Sequence, residues 1–170
     1  MIQVRATKFP EAQLFVPHVF EDDRGRLSET YSESNYAGLG LREHFVQDLV
    51  TWSGRNVLRG PHYDFRMAKF VQVLKGVVFD VIVDMREDSP QYKQWEGYYL
   101  SDHNHHQLYV PPGFAHGFLA LADEVIFHYK MSAQHDLAYE HRIAWDDPSI
   151  GIKWPIVGEP RISAKDRAPT

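Results

Sequence analysis

Val77-Val78-Phe79-Asp80-Val81-Ile82-Val83-Asp84-Met85 is the stretch on which the fold turns. Successive side chains of a strand point to opposite faces, so Val77, Phe79, Val81, Val83 and Met85 share one face and Val78, Asp80, Ile82 and Asp84 the other. Both faces are largely apolar and β-branched, which predicts a strand covered by protein on both sides. Asp80 then sits among apolar neighbours and needs a partner, because an unpaired buried carboxylate is costly. Structural support through that partner ranks ahead of a catalytic relay.

Outward from this strand the chain reads as further short strands separated by turn signals. Upstream, Lys69 to Lys75 alternates in part and Gly76 turns it. Downstream, a polar turn over Arg86 to Gln94 leads into a strand from Trp95 to Leu100. Another polar turn, Ser101 to His106, precedes a strand ending at Pro111-Pro112-Gly113. His103, His105 and His106 in that turn read as solvated surface groups. Glu124 to Met131 alternates again, with Val125, Phe127, Tyr129 and Met131 on one face.

Towards the N-terminus, Gln3 to Phe20 is strand-like with breaks at Pro10 and Pro17. Asp22 to Arg26 is a turn, and Leu27, Glu29 and Tyr31 share one face of a following strand. A short helix is predicted around Ser34 to Leu39, capped by Ser32 or Ser34 and ended by Gly38 and Gly40. Phe45 to Trp52 and Val57-Leu58 complete the strands. So many short strands with so little helix predict an all-β domain, a sandwich or barrel of the jelly-roll kind with short helices, spanning residues 1 to 170.

Composition narrows the function. Aromatic residues make up 14% of the chain, as befits a folded globule, and the net charge of -5 leaves no footprint for nucleic acid. No apolar run is long enough for a bilayer and no leader pattern opens the chain, so a soluble, cytoplasmic protein without a membrane partner is expected. With no Cys, disulfides and thiolate-metal sites are excluded.

The chemistry concentrates at Arg59-Gly60-Pro61-His62-Tyr63-Asp64 and the Lys69 that follows. Arg59 can hold an anion with two parallel hydrogen bonds, and Gly60-Pro61 presents His62, a candidate base, from a fixed corner. A lone His in a turn is more often just a satisfied surface or core group. The balance shifts with a second block, Pro111-Pro112-Gly113-Phe114-Ala115-His116-Gly117-Phe118: His62 before one strand and His116 after a Pro-Gly turn have the spacing of a double-stranded β-helix, whose inward strands line a ligand cavity. Metal-binding proteins of that fold use His-x-His, a nearby Glu and a later His. Here Asp64 and Lys69 occupy the second and third positions, and an ammonium repels a divalent cation. A metal site of His62, Asp64 and His116 therefore ranks low, and none is expected. Tyr129 reads either as a core phenol or as a group facing a cavity. A cavity with His, Lys and Tyr suits proton abstraction next to a carbonyl: His takes the proton, Lys holds the enolate oxygen, and Tyr returns a proton from the opposite face.

Taken together, the chain resembles the dTDP-4-dehydrorhamnose 3,5-epimerase family of the cupin superfamily over nearly its whole length. The resemblance is carried by Phe20-x-Asp22-x-Arg24-Gly25 with Glu29, Phe45-Val46-Gln47-Asp48, Asn56-Val57-Leu58-Arg59-Gly60-x-His62-Tyr63, the Gly76 to Arg86 strand, Pro112 to Phe118, Tyr129-Lys130, Trp145-x-Asp147-Pro148, Trp154-Pro155 and Ser163-x-Lys165-Asp166. Each motif is weak; their order and spacing are specific. The resemblance implies a cofactor-independent epimerase that inverts C3, C5 or both beside the keto group of a nucleotide-diphosphate-linked 4-keto-6-deoxy sugar. It makes His62 the base and Asp166 its dyad partner, Lys69 the enolate-stabilising group and Tyr129 the proton donor. Arg24, Glu29, Gln47 and Arg59 fall at positions that hold the diphosphate, sugar or nucleotide, and His116 lines the same cavity. It also implies a homodimer that exchanges an N-terminal strand. The chain departs from the pattern in its short Tyr63 to Ala68 connection, in Asp64, in Leu49 where Asn is usual, and in Gln134-His135 where paired aromatics are common. The short connection resembles relatives that act on GDP-linked heptoses, which with a non-catalytic sugar-nucleotide-binding cupin forms the alternative.

Overall fold

The computed structural model describes residues 1–167. In chain order the strands are β1 (Gln3–Ala6), β2 (Gln13–Val16), β3 (Val19–Asp22), β4 (Gly25–Ser28), β5 (Gln47–Ser53), β6 (Val57–Tyr63) and β7 (Lys69–Lys75). They continue with β8 (Val77–Asp84), β9 (Trp95–Ser101), β10 (Gln107–Val110), β11 (Phe114–Ala120), β12 (Val125–Met131), β13 (His141–Arg142) and β14 (Arg161–Ile162). Two short helices, α1 (Glu33–Ala37) and α2 (Ala164–Arg167), join them. One sheet has the order β1-β2-β10-β7-β12-β5 and the other β13-β6-β11-β8-β9, with β14 on β6 as well. This is the expected all-β jelly-roll with short helices. Among the described residues no helix is long and apolar enough to cross a membrane.

The two sheets meet over a core to which each contributes one face: Leu14, Val71, Val73, Leu108 and Phe127 from the first, Val78, Ile82, Leu100 and Phe118 from the second. Phe118 and Phe127 stack across the gap with ring centroids 4.4 Å apart. Strand β8 is buried along nearly all its length because its outer face is also covered. There Phe79, Val81, Val83 and Met85 pack with Ile150 and against Trp154, Ile143 and Ile152 of the C-terminal segment. Asp80 finds its partner in His116, at 2.8 Å.

Three local expectations change. The helix runs over Glu33–Ala37 rather than to Leu39, with the Ser32 hydroxyl accepting from the Asn35 N–H at its start. Gly38, at φ -63°, stays right-handed, so its N–H still bonds back into the helix. The strand expected through Leu27, Glu29 and Tyr31 stops at Ser28, because among the described residues β4 pairs only with β3 and has no further neighbour to extend against. Finally, Phe114–Ala120, met in the sequence as a block after a Pro-Gly turn, is the wholly buried central strand β11, paired to both β6 and β8.

Candidate active site

A cavity of about 440 Å³ opens between the sheets, and His62, Lys69, Tyr129 and Asp166 all line it. They arrive from four elements, β6, β7, β12 and α2. The convergence depends on the ladder: β6 lies against β11 with His62 opposite His116, while β7 and β12 pair with Lys69 opposite Met131. The C-terminal segment runs back along the free edge of β6, where β14 pairs in parallel, and α2 then places Asp166 beside His62.

The His62 ring is bracketed. Its Nε2 lies 2.5 Å from Asp166 Oδ1, and its Nδ1 lies 3.8 Å from Glu140 Oε2. Ser163 donates its hydroxyl to the other Asp166 oxygen at 2.8 Å. Burial pushes the Asp166 carboxyl up, but the hydrogen bond and charge of His62, with Ser163 and Lys165, bring it below the ordinary range. Asp166 is thus an ionised orienter that fixes which ring nitrogen is left free, and Nδ1 is the nitrogen available as a base.

Lys69 donates from Nζ to the His62 carbonyl oxygen at 3.1 Å. Desolvation lowers its ammonium to about 8, against the opposing pull of the Glu140, Asp80 and Asp64 charges. Tyr129 packs on Phe127, at 4.8 Å between centroids, and near His116, at 6.2 Å. Burial raises its phenol, so the hydroxyl stays protonated at neutral pH. Arg59 spends two of its N–H groups on the preceding strand, Nε to Ser53 Oγ at 3.0 Å and Nη2 to the Trp52 carbonyl at 3.2 Å.

The remaining residues singled out in the sequence lie apart from these. His116 stands behind the cavity, buried and held by Asp80, whose second oxygen has no partner among the described residues. Gln47 accepts the His135 backbone N–H at 2.8 Å and so secures the segment after β12. Glu29 accepts from the Asn35 side chain at 2.9 Å, and Arg24 pairs with Asp22 on the exposed β3–β4 hairpin. Neither of these two lines the cavity within one chain. His62, Asp64 and His116 are each committed to another partner: Asp166, Arg66 at 2.7 Å, and Asp80.

Glu140 escaped the sequence reading. It receives hydrogen bonds from His135 Nε2 at 2.8 Å and Arg142 Nε at 2.9 Å, with Lys165 Nζ at 3.3 Å. Burial works against its charge, yet His135, the His62 charge, Arg142 and Lys165 hold the carboxyl at about 2. Nothing in Tyr139-Glu140-His141-Arg142 marks it, and only the return of β13 onto β6 brings it to the ring. The set can therefore take a proton at Nδ1 between two carboxylates, offer an ammonium to a developing oxyanion and deliver a phenolic proton.

The chain has close counterparts among known proteins. The family model described as dTDP-4-dehydrorhamnose 3,5-epimerase matches residues 6–170. A protein of that name from Methanothermobacter thermautotrophicus is 44% identical over 165 residues, covering 95% of this chain and 89% of the relative. The crystal structure of a dTDP-4-dehydrorhamnose 3,5-epimerase from Bacillus anthracis, with TDP and PPi bound, superposes with a TM-score of 0.96 at 40% identity, covering 100% of this chain and 99% of that one. A dTDP-6-deoxy-D-glucose-3,5-epimerase from Legionella pneumophila, in complex with dTDP-4-keto-L-rhamnose, gives 0.96 at 37% identity and covers 99% and 92%.

Proposed function

Because the chain belongs to the dTDP-4-dehydrorhamnose 3,5-epimerase family, we propose that it epimerises a dTDP-linked 4-keto-6-deoxy sugar at the carbons flanking the keto group, C3 and C5. The observation that carries this reading is the single cavity shared by His62, Asp166, Lys69 and Tyr129. In the reaction His62 Nδ1 takes the proton from the carbon next to the keto group, and the bonding pair moves onto the keto oxygen as an enolate. Asp166 steadies the imidazolium through Nε2, and the Glu140 charge favours it from the other side. The Lys69 ammonium holds the enolate oxygen. Tyr129 then gives its proton to the opposite face of the carbon, which inverts it, and solvent resets both groups. Arg59 is the anchor for the diphosphate.

The thymidine-linked reading is favoured over the guanosine-linked one raised by the short Tyr63 to Ala68 connection, because the matching relatives carry the thymidine-linked substrate in their names. The site is completed in a homodimer. Among the described residues the β3–β4 hairpin pairs with no other strand, and it exposes Phe20 and Leu27 at 62% and 70%. An isolated two-stranded hairpin with apolar side chains in water is marginal and gains stability from a covering surface. A second copy supplies it, and the hairpin then carries Arg24 towards that copy's cavity, with Glu29 just beyond β4. Incubation with dTDP-4-keto-6-deoxyglucose followed by proton NMR tests the reaction: new stereoisomer signals are expected, and an unchanged sugar spectrum contradicts it.

A further inference from the structure

The β5–β6 turn gathers more positive charge than the catalytic groups use. Arg59 leans on it through Ser53 Oγ and the Trp52 carbonyl. Arg161 reaches the next residue: its Nη1 lies 3.4 Å from where a Cβ on Gly54 would stand, so the guanidinium rests on the turn at its glycine. Two guanidinium groups thus lie against the consecutive residues 52–54. Strand pairing puts them on one side. Arg161 is in register with Val57 across the parallel β14–β6 ladder, and Val57 shares its face with Arg59 by alternation. Both arginines line the catalytic cavity.

The two guanidinium groups meet on one turn without a counter-charge. Arg55, on the same turn, is matched by Asp123 at 2.7 Å. Among the described residues no carboxylate lies in salt-bridge range of Arg59 or Arg161; of the acids lining the cavity, Glu140 is engaged with Arg142, His135 and Lys165, Asp166 with His62 and Asp64 with Arg66, while Asp136 accepts the Ala138 backbone N–H. Neighbouring cations without an acid repel each other, and an anion of two or more charges between them removes that cost while accepting charge-assisted hydrogen bonds from both forks.

We propose that Arg161 is a second diphosphate-binding residue, which with Arg59 clamps the phosphates of the nucleotide sugar at the β5–β6 turn; the substrate class rests on the function proposed above. The placement has a consequence for the chain. The segment 161–166 delivers Arg161 to the anion and, through Ser163, Asp166 to His62. One short stretch thereby couples phosphate anchoring to orientation of the base.

Calorimetric titration of wild type, Arg161→Leu and Arg161→Lys with thymidine diphosphate, thymidine and inorganic pyrophosphate tests this. Arg161→Leu is expected to weaken thymidine diphosphate and pyrophosphate about ten-fold or more, as loss of hydrogen bonds to a charged group implies. Thymidine affinity should hold, and Arg161→Lys should regain part of the loss. Wild-type diphosphate affinity in Arg161→Leu overturns the inference, as does equal weakening of thymidine and its diphosphate, or a wild type that binds neither anion. A wild type that binds the anions through Arg161 but leaves the 4-keto sugar unchanged rejects the proposed reaction and keeps the clamp. A wild type that epimerises while Arg161→Leu binds the anions normally rejects the clamp alone.

Discussion

His62 faces a carboxylate from each nitrogen, and the two contacts differ in kind. Asp166 is hydrogen-bonded at 2.5 Å, whereas Glu140, at 3.8 Å, acts through charge. A neutral ring feels chiefly the first and an imidazolium feels both. Both acids are held below their ordinary range and stay ionised at neutral pH, so neither sets the working pH window. Lys69 does. Its ammonium is pushed down to about 8, so the charge that meets the enolate is present below that pH and disappears above it. The rate constant kcat should therefore fall as pH rises through about 8. Replacing Lys69 by Arg, which does not titrate there, should remove that alkaline limb even if the maximum rate drops; a limb that persists in Lys69→Arg assigns it to another group. The roles expected of His62, Lys69 and Tyr129 could be read from residue type and order. Glu140 could not, since its position depends on where the segment 132–140 closes back on β6.

At the level of elements, the approach of β6 to β11 sets the position of the base. Gly60, at φ +81°, would place a Cβ 2.7 Å from the His116 carbonyl oxygen, and a Cβ on Gly117 would lie 2.7 Å from the Arg59 carbonyl oxygen. The strands thus touch glycine to backbone in both directions, beside an irregularity in register between His116 and Phe118. Gly60→Ala adds a clash to a disfavoured backbone conformation and should cost about 2 to 4 kcal/mol in urea unfolding, with a loss of activity because His62 moves with its strand. A cost below about 0.5 kcal/mol, typical of a neutral surface change, contradicts so close an approach. This pairing also explains why β11 was not legible as a strand. Ala115-His116-Gly117 dilutes its local preference, and pairing with β6 and β8 on both sides overrides it. Strand β8 was legible because Val and Phe fill one of its faces and Val78 and Ile82 alternate with Asp80 and Asp84 on the other. What covers the outer face, the C-terminal segment with Ile150 and Trp154, lies too far along the chain for local pattern to reveal.

On the scale of the whole molecule, the jelly-roll class was readable from many short strands punctuated by turns, while the pairing order was not, because each sheet interleaves distant strands. The assembly proposed above makes a prediction of its own. Arg24 and Glu29 lie outside their own chain's cavity, so an Arg24→Ala chain and a His62→Ala chain have different defects. Each homodimer should be nearly inactive. Mixing the two under subunit exchange should restore activity, since one site in each mixed dimer keeps an intact His62 and receives an intact Arg24. Absence of any recovery, with mixed dimers verified by native mass spectrometry, places both residues in the same chain's site. The proposed reaction begins with proton abstraction by His62 in a cavity shared with Tyr129. Mass-spectrometric deuterium incorporation at each ring carbon, in D2O with dTDP-4-keto-6-deoxyglucose, addresses it most directly. Wild type should exchange at C3 and C5, His62→Ala at neither, and Tyr129→Phe should keep partial exchange; wild-type exchange in His62→Ala would contradict the account.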